Sequence, residues 1–185
     1  MLKLTIPAHE FWDDASQSFV YTKETVLSLE HSLISVSKWE SIWHRPFLTD
    51  EKRTYAETIS YIKCMTITQN VDPIIYTLIS NEHITQVLDY ISDRMTATWF
   101  GGSDESKSTP VKKEIITSEL IYYWMSVFNL PSDYEKWHLN RLLTLIRICK
   151  IKRDEENNGG KKNAKDSMKS NASLMAARRA KLKKH

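Results

Sequence analysis

The chain has 185 residues, 41% of them hydrophobic and 10% aromatic, which is enough apolar mass for one core without covalent or metal staples. Its 26 Lys and Arg against 23 Asp and Glu leave +3, but 11 of the cations and 4 of the acids lie from Ile151 onward, so that segment carries +7 and the body before it −4. No stretch of about 18 apolar residues is present to span a membrane. The two cysteines, Cys64 and Cys149, are far apart in apolar helical contexts, which favours buried thiols in a reducing compartment over a disulfide framework.

From the N-terminus, Leu2-Lys3-Leu4-Thr5-Ile6 alternates with period two and stops at Pro7. Ser18 to Thr22 is rich in strand formers, so a small N-terminal hairpin is expected, with Thr25 to Leu29 available as a third strand. The first segment lacks the continuous apolar run of a signal peptide, so the protein is expected to be intracellular and soluble. Leu29, Leu33, Val36, Ile42 and Trp43 fall near helical spacing up to Pro46.

Thr54-x-x-Glu57 has the form of a capping box and predicts a helix through Ile59, Ile62 and Met65. Asp72-Pro73 predicts a short helix through Tyr76 and Ile79. Ser80 or Asn81 opens another, with Ile84, Val87, Leu88 and Ile91 on one face. Gly101-Gly102, within a polar stretch, predicts a mobile loop over residues 101–110. Thr117 or Ser118 starts an apolar helix that ends before Pro131. Ser132-x-x-Glu135 reads as a second capping box opening the longest helix, whose Leu139, Leu142, Leu143, Ile146 and Cys149 share one face.

All six Trp, eight Tyr and five Phe precede residue 138, so the segment beyond cannot build a core. A compact domain over residues 1–152 is therefore expected, followed by residues 153–185 as a linker around Gly159-Gly160 and a basic, conditionally helical arm. The fold class expected is mainly α, a single helical domain with a small β-hairpin, α+β being the alternative.

Catalytic chemistry finds little to stand on. Neither Gly pair lies between a strand and a helix, as a phosphate-cradling loop requires. The six His are scattered; Glu135 and His138 share an i, i+3 spacing that suits a surface hydrogen bond better than a metal. Asp13, Asp14 and Glu30 support a nuclease or hydrolase only if the fold brings them together, and acidic doublets near turns are usually solvated. The groups Tyr122-Tyr123-Trp124 and Trp39 with Trp43 suit a stacking platform for single-stranded nucleic acid, but their helical spacing and the acidic body favour a core role. No cofactor, no metal and no catalytic residue are expected. In the arm, Leu174, Met175 and Leu182 are candidate apolar anchors for a partner protein, and Arg178, Arg179, Lys181, Lys183 and Lys184 candidate charge contacts. Those same cations suit a phosphate backbone, so a nucleic-acid-binding module is the competing reading.

The segments SLEHSLISVSKWESIWHRPF, TISYIKCMTI, MTATWF, SELIYYWM and EKWHLNRLLTLIRICKIK, with the tail AARRAKLKK, resemble small proteins of tailed bacteriophages, the tail assembly chaperones. The resemblance covers nearly the whole chain through packing residues. It implies a non-enzymatic virion assembly factor in the host cytoplasm that binds the tape measure protein among the phage tail proteins, with a homo-oligomer possible and no membrane involved.

Overall fold

The computed structural model describes residues 1–14, 17–49, 51–98 and 115–157. The expected loop at 101–110 and the arm residues Leu174, Met175, Arg178, Arg179, Lys181, Leu182, Lys183 and Lys184 lie outside them. The fold is α+β. Two compact units divide the chain, Met1–Thr144 and Leu145–His185. No helix among the described residues is long and apolar enough to cross a membrane.

Four strands open the first unit: β1 (Leu2–Ile6), β2 (His9–Asp13), β3 (Ser18–Thr22) and β4 (Thr25–Leu29). The expected hairpin is real but larger and paired differently. β1 pairs antiparallel with β4 and β2 with β3, and β2 is a strand that the sequence pattern did not announce. Ile6 faces Thr25 and His9 faces Thr22, so Pro7-Ala8 are matched by Lys23-Glu24 and the register carries across the gap without a slip. The four strands thus make two successive two-stranded sheets, a ribbon interrupted at Pro7-Ala8 and Lys23-Glu24. A proline has no N–H for the ladder, which accounts for the interruption at Pro7.

The base of the ribbon is core. Leu4 and Ile6 of β1 and Leu27 and Leu29 of β4 are fully buried, the inward set of a period-two pattern. The free edge of β4 is covered by the chain after the second helix: the Ile67 N–H donates to the Ser28 carbonyl (2.8 Å) and the Ser28 N–H to the Thr68 hydroxyl (2.8 Å).

Four helices follow with caps where local chemistry expects them. α1 (Leu33–Trp43) starts at Ser32, whose hydroxyl accepts from the Ser35 N–H; Leu29, which also fell near the helical spacing, ends the strand expected over Thr25 to Leu29 and pairs with Leu2. α2 (Tyr55–Met65) carries the complete Thr54/Glu57 capping box. A 3-10 helix (Pro73–Leu78) is capped by Asp72, and α3 (Asn81–Ser92) by Ser80 with His83 closing the box. α4 (Ser118–Val127) is capped by Thr117. Leu33, Val36 and Trp39 of α1, Ile62 and Met65 of α2, and Ile121 of α4 complete the core with the ribbon base.

The second expected capping box does not form. Ser132–Lys136 is a 3-10 helix with no side-chain cap, and Glu135 accepts instead from the Tyr122 hydroxyl (3.0 Å). The chain then stays extended at Trp137-His138, where His138 bridges to Ser32 and the Leu139 N–H donates to the His31 carbonyl (2.7 Å). Only after this clamp does α5 begin; it covers residues 139–157. Leu139 and Leu142 are fully buried.

Glu40 ties distant segments together. Its buried carboxylate accepts from the Phe47 N–H through one oxygen and the Ser118 N–H through the other, both at 2.8 Å. Glu40→Ala leaves two buried N–H groups without an acceptor, at ~1–3 kcal/mol each, and is expected to lower unfolding stability by about 2–6 kcal/mol in a urea titration. Glu40→Gln keeps the shape but sets an NH2 against one of those N–H donors, so it recovers part of the loss at most.

Candidate functional site: the ribbon tip and two clefts

Along an antiparallel pair, residues at even steps share a face. The pairs Leu4/Leu27 and Ile6/Thr25 belong to the same set as Glu10/Tyr21 and Trp12/Phe19. By register, the residues that continue the core-facing set of the base sheet are Glu10, Trp12, Phe19 and Tyr21, which share one face of the β2–β3 sheet. That face is uncovered: Trp12 is 51% exposed, Phe19 57% and Tyr21 70%. β2 and β3 pack chiefly against each other. Trp12 and Phe19 meet edge to face with centroids 5.1 Å apart, and a hydrogen bond to the Glu10 carboxylate raises the Tyr21 phenol above its ordinary pKa. Three neighbouring aromatic side chains on one face of a two-stranded sheet are unlike the scattered exposed hydrophobics normal for a protein surface.

Asp13 and Glu30, considered for phosphodiester chemistry, occupy backbone positions far apart along the strands. Asp13 sits at the tip end of the ribbon opposite Ser18, whereas Glu30 follows the last residue of β4, a separation on the order of 35 Å along the ribbon at ~3.3 Å per residue. Glu30 is engaged by the Tyr90 hydroxyl (2.7 Å) and the terminal amine of Met1 (3.0 Å). Glu135 and His138 also serve different partners: Tyr122 holds the former, and the ring Nε2 of the latter contacts the Tyr90 carbonyl at 3.0 Å. Cys64 and Cys149 are free and half-buried rather than fully buried, and burial pushes the Cys64 thiol up. Of the proposed stacking residues, Trp39 is fully buried with its indole N–H on the Glu57 carbonyl (3.0 Å), while Tyr123 is 61% exposed.

Beneath the start of α2 lies a buried polar cluster that sequence reading missed, because its members come from four separate segments. His31 hydrogen-bonds through Nδ1 to the Tyr61 hydroxyl and meets the His138 ring edge to face at 5.1 Å. Burial, with His138 and Arg53 nearby, lowers the His31 pKa to about 3, so it is neutral. Burial also raises the Tyr61 phenol well above its usual range. Phe47 packs on Tyr61 at 4.1 Å, and Arg53 lies over Phe47 with its Cζ 3.8 Å from the ring centroid.

Two clefts flank this region. The larger, about 540 Å³, is lined by Glu40, His44, Arg45 and Glu119 among others, but its charges are largely committed: Glu40 to two backbone amides and Arg45 to Glu51 (2.5 Å) and Glu57 (2.6 Å). The smaller, about 340 Å³, holds Arg53 and Tyr61 against the apolar wall of Ile62, Val87, Leu88 and Ile91. No protein family, curated protein or solved structure matches the chain.

Proposed function

We propose that the protein is a non-enzymatic binding factor of bacteriophage virion assembly, similar to a tail assembly chaperone, which covers apolar helical stretches of the tape measure protein until the tail is built. The observation that carries this is the ribbon tip: Trp12, Phe19 and Tyr21, which by register continue the core-facing set of the base sheet, are uncovered. A two-stranded ribbon is marginal alone and gains from a third element packed on its apolar face. Aromatic side chains supply large contact area at low entropic cost, which suits reversible capture. The basic C-terminal segment adds a second, electrostatic contact in this scheme, with Arg178 to Lys184 as recruiting charges.

Capture from phage-expressing cells by the full chain, with nuclease treatment and at low and high salt, tests the proposal. The expected result is recovery of a long helical tail protein that survives both treatments, since apolar contacts weaken little in salt. Recovery of nucleic acid alone, lost log-linearly with salt, would replace the proposal by phosphate binding through the basic arm.

A further inference from the structure

We propose that the 340 Å³ cleft between the start of α2 and α3 is a receptor for a carboxylate borne on a branched aliphatic group, with Arg53 as the anion contact. Arg53 is half-buried, and its orientation is fixed: the guanidinium lies on the Phe47 ring, 5.9 Å from that of Trp39, and donates to the Phe47 carbonyl. The nearby carboxylates are taken. Arg45 pairs with both Glu51 and Glu57, and Glu57 also caps the Thr54 N–H at 2.7 Å. Among the described residues Glu51 and Glu57 make their ion pairs with Arg45, Glu57 acts on Arg53 only at longer range, and burial lowers the Arg53 pKa below the ordinary arginine value.

A guanidinium stays charged when desolvated and is stabilised best by a planar anion that matches its fork. The opposite wall is apolar: Ile62 and Val87 are buried, and Leu88 stands 47% exposed at the rim although it belongs to the face of α3 that the sequence assigns to the core. The lining also holds Glu51, which pairs with Arg45, and Lys52, so Arg53 is one cation in a mixed-charge rim that suits a monoanion better than a phosphate dianion. The ligand class is therefore a carboxylate beside a Leu- or Ile-like group, from either a free short-chain acid or the C-terminus of a partner protein. The cleft and the ribbon tip share no residue, so either can fail alone.

The test uses the full chain labelled with 15N at arginine, titrated with 4-methylpentanoate and followed at the Arg53 Nε–H resonance, assigned from Arg53→Lys. A saturable shift with a millimolar midpoint is expected, with no shift from 4-methylpentanamide. Leu88→Glu leaves Arg53 in place but supplies an internal carboxylate at the rim, and is expected to weaken the response at least tenfold. N-acetyl-Leu-Leu with a free carboxylate identifies the source: tenfold tighter binding than the simple acid marks a protein terminus, and equal binding a free acid. An equal shift from the amide, a response that never saturates, or an unchanged midpoint in Leu88→Glu overturns the inference.

Discussion

Replacing Trp12, Phe19 and Tyr21 together by Ser is expected to weaken partner capture at least 100-fold while changing unfolding stability by less than about 1 kcal/mol. The separation of the two effects follows from where the side chains sit. Each is more than half exposed, so little apolar area returns to water when it is removed, and the folded-state losses are the Trp12–Phe19 contact, worth ~0.5–1 kcal/mol for such a cross-strand pair, and the solvent-exposed Tyr21–Glu10 hydrogen bond, which water replaces. Buried under a partner, aromatic anchors commonly contribute about 2 kcal/mol or more each, and each 1.4 kcal/mol is tenfold in affinity. Surface-immobilised partner and a urea titration of the same variant measure both quantities. Unchanged capture would move the binding surface away from the ribbon. Leu27→Ala at the ribbon base is the contrasting variant: it opens a cavity in the core and is expected to cost ~2–5 kcal/mol of stability.

Acid is expected to destabilise the fold steeply, starting well above the range where carboxylates titrate. His31 is neutral in the folded chain down to about pH 3, whereas an unfolded histidine protonates near 6.5. Below pH 6.5 the unfolded state binds the extra proton, so this contribution to stability is intact above that pH and is lost at ~1.4 kcal/mol per unit as pH falls toward 3. From pH 6.5 to 5 His31 alone removes about 2 kcal/mol, against the ~5–15 kcal/mol that holds a typical domain together. His138, whose pKa is also lowered by burial, acts in the same direction. Protonating the buried ring is unfavourable because burial strips the charge of water and Arg53 and His138 already place positive or protonatable groups beside it. Urea midpoints at pH 7 and pH 5 measure the loss. His31→Leu is expected to be less stable than the parent at pH 7, where Tyr61 loses its hydrogen-bond partner, and to show a shallower fall toward pH 5. A parent midpoint that does not move between those pH values would contradict the assignment.

Much of the local structure is legible in the sequence because a cap is a contact over three residues. Thr54, Asp72, Ser80 and Thr117 each start the element their hydroxyl or carboxyl predicts. Ser132 and Glu135 have the same spacing and fail, since the Tyr122 hydroxyl takes the Glu135 carboxylate and the bridge from Ser32 to His138 holds the next residues extended. A short-range motif is read correctly only while no distant donor outbids it. The period-two pattern of β1 likewise announces a strand, but its partner, β4 rather than β3, depends on a register continued through Pro7 and Lys23.

What the sequence by itself determined was the inventory: an aromatic, acidic body, a basic end, and helix starts set by side chains within one turn of them. The tertiary structure alone decided which surfaces are left over. The aromatic face of β2 and β3 lies bare because few residues outside the two strands pack on it, and Arg53 has no ion-pair partner among the described residues because Arg45 takes both Glu51 and Glu57. Burial and pairing are sums over neighbours far apart in the chain, and those neighbours meet only when it folds.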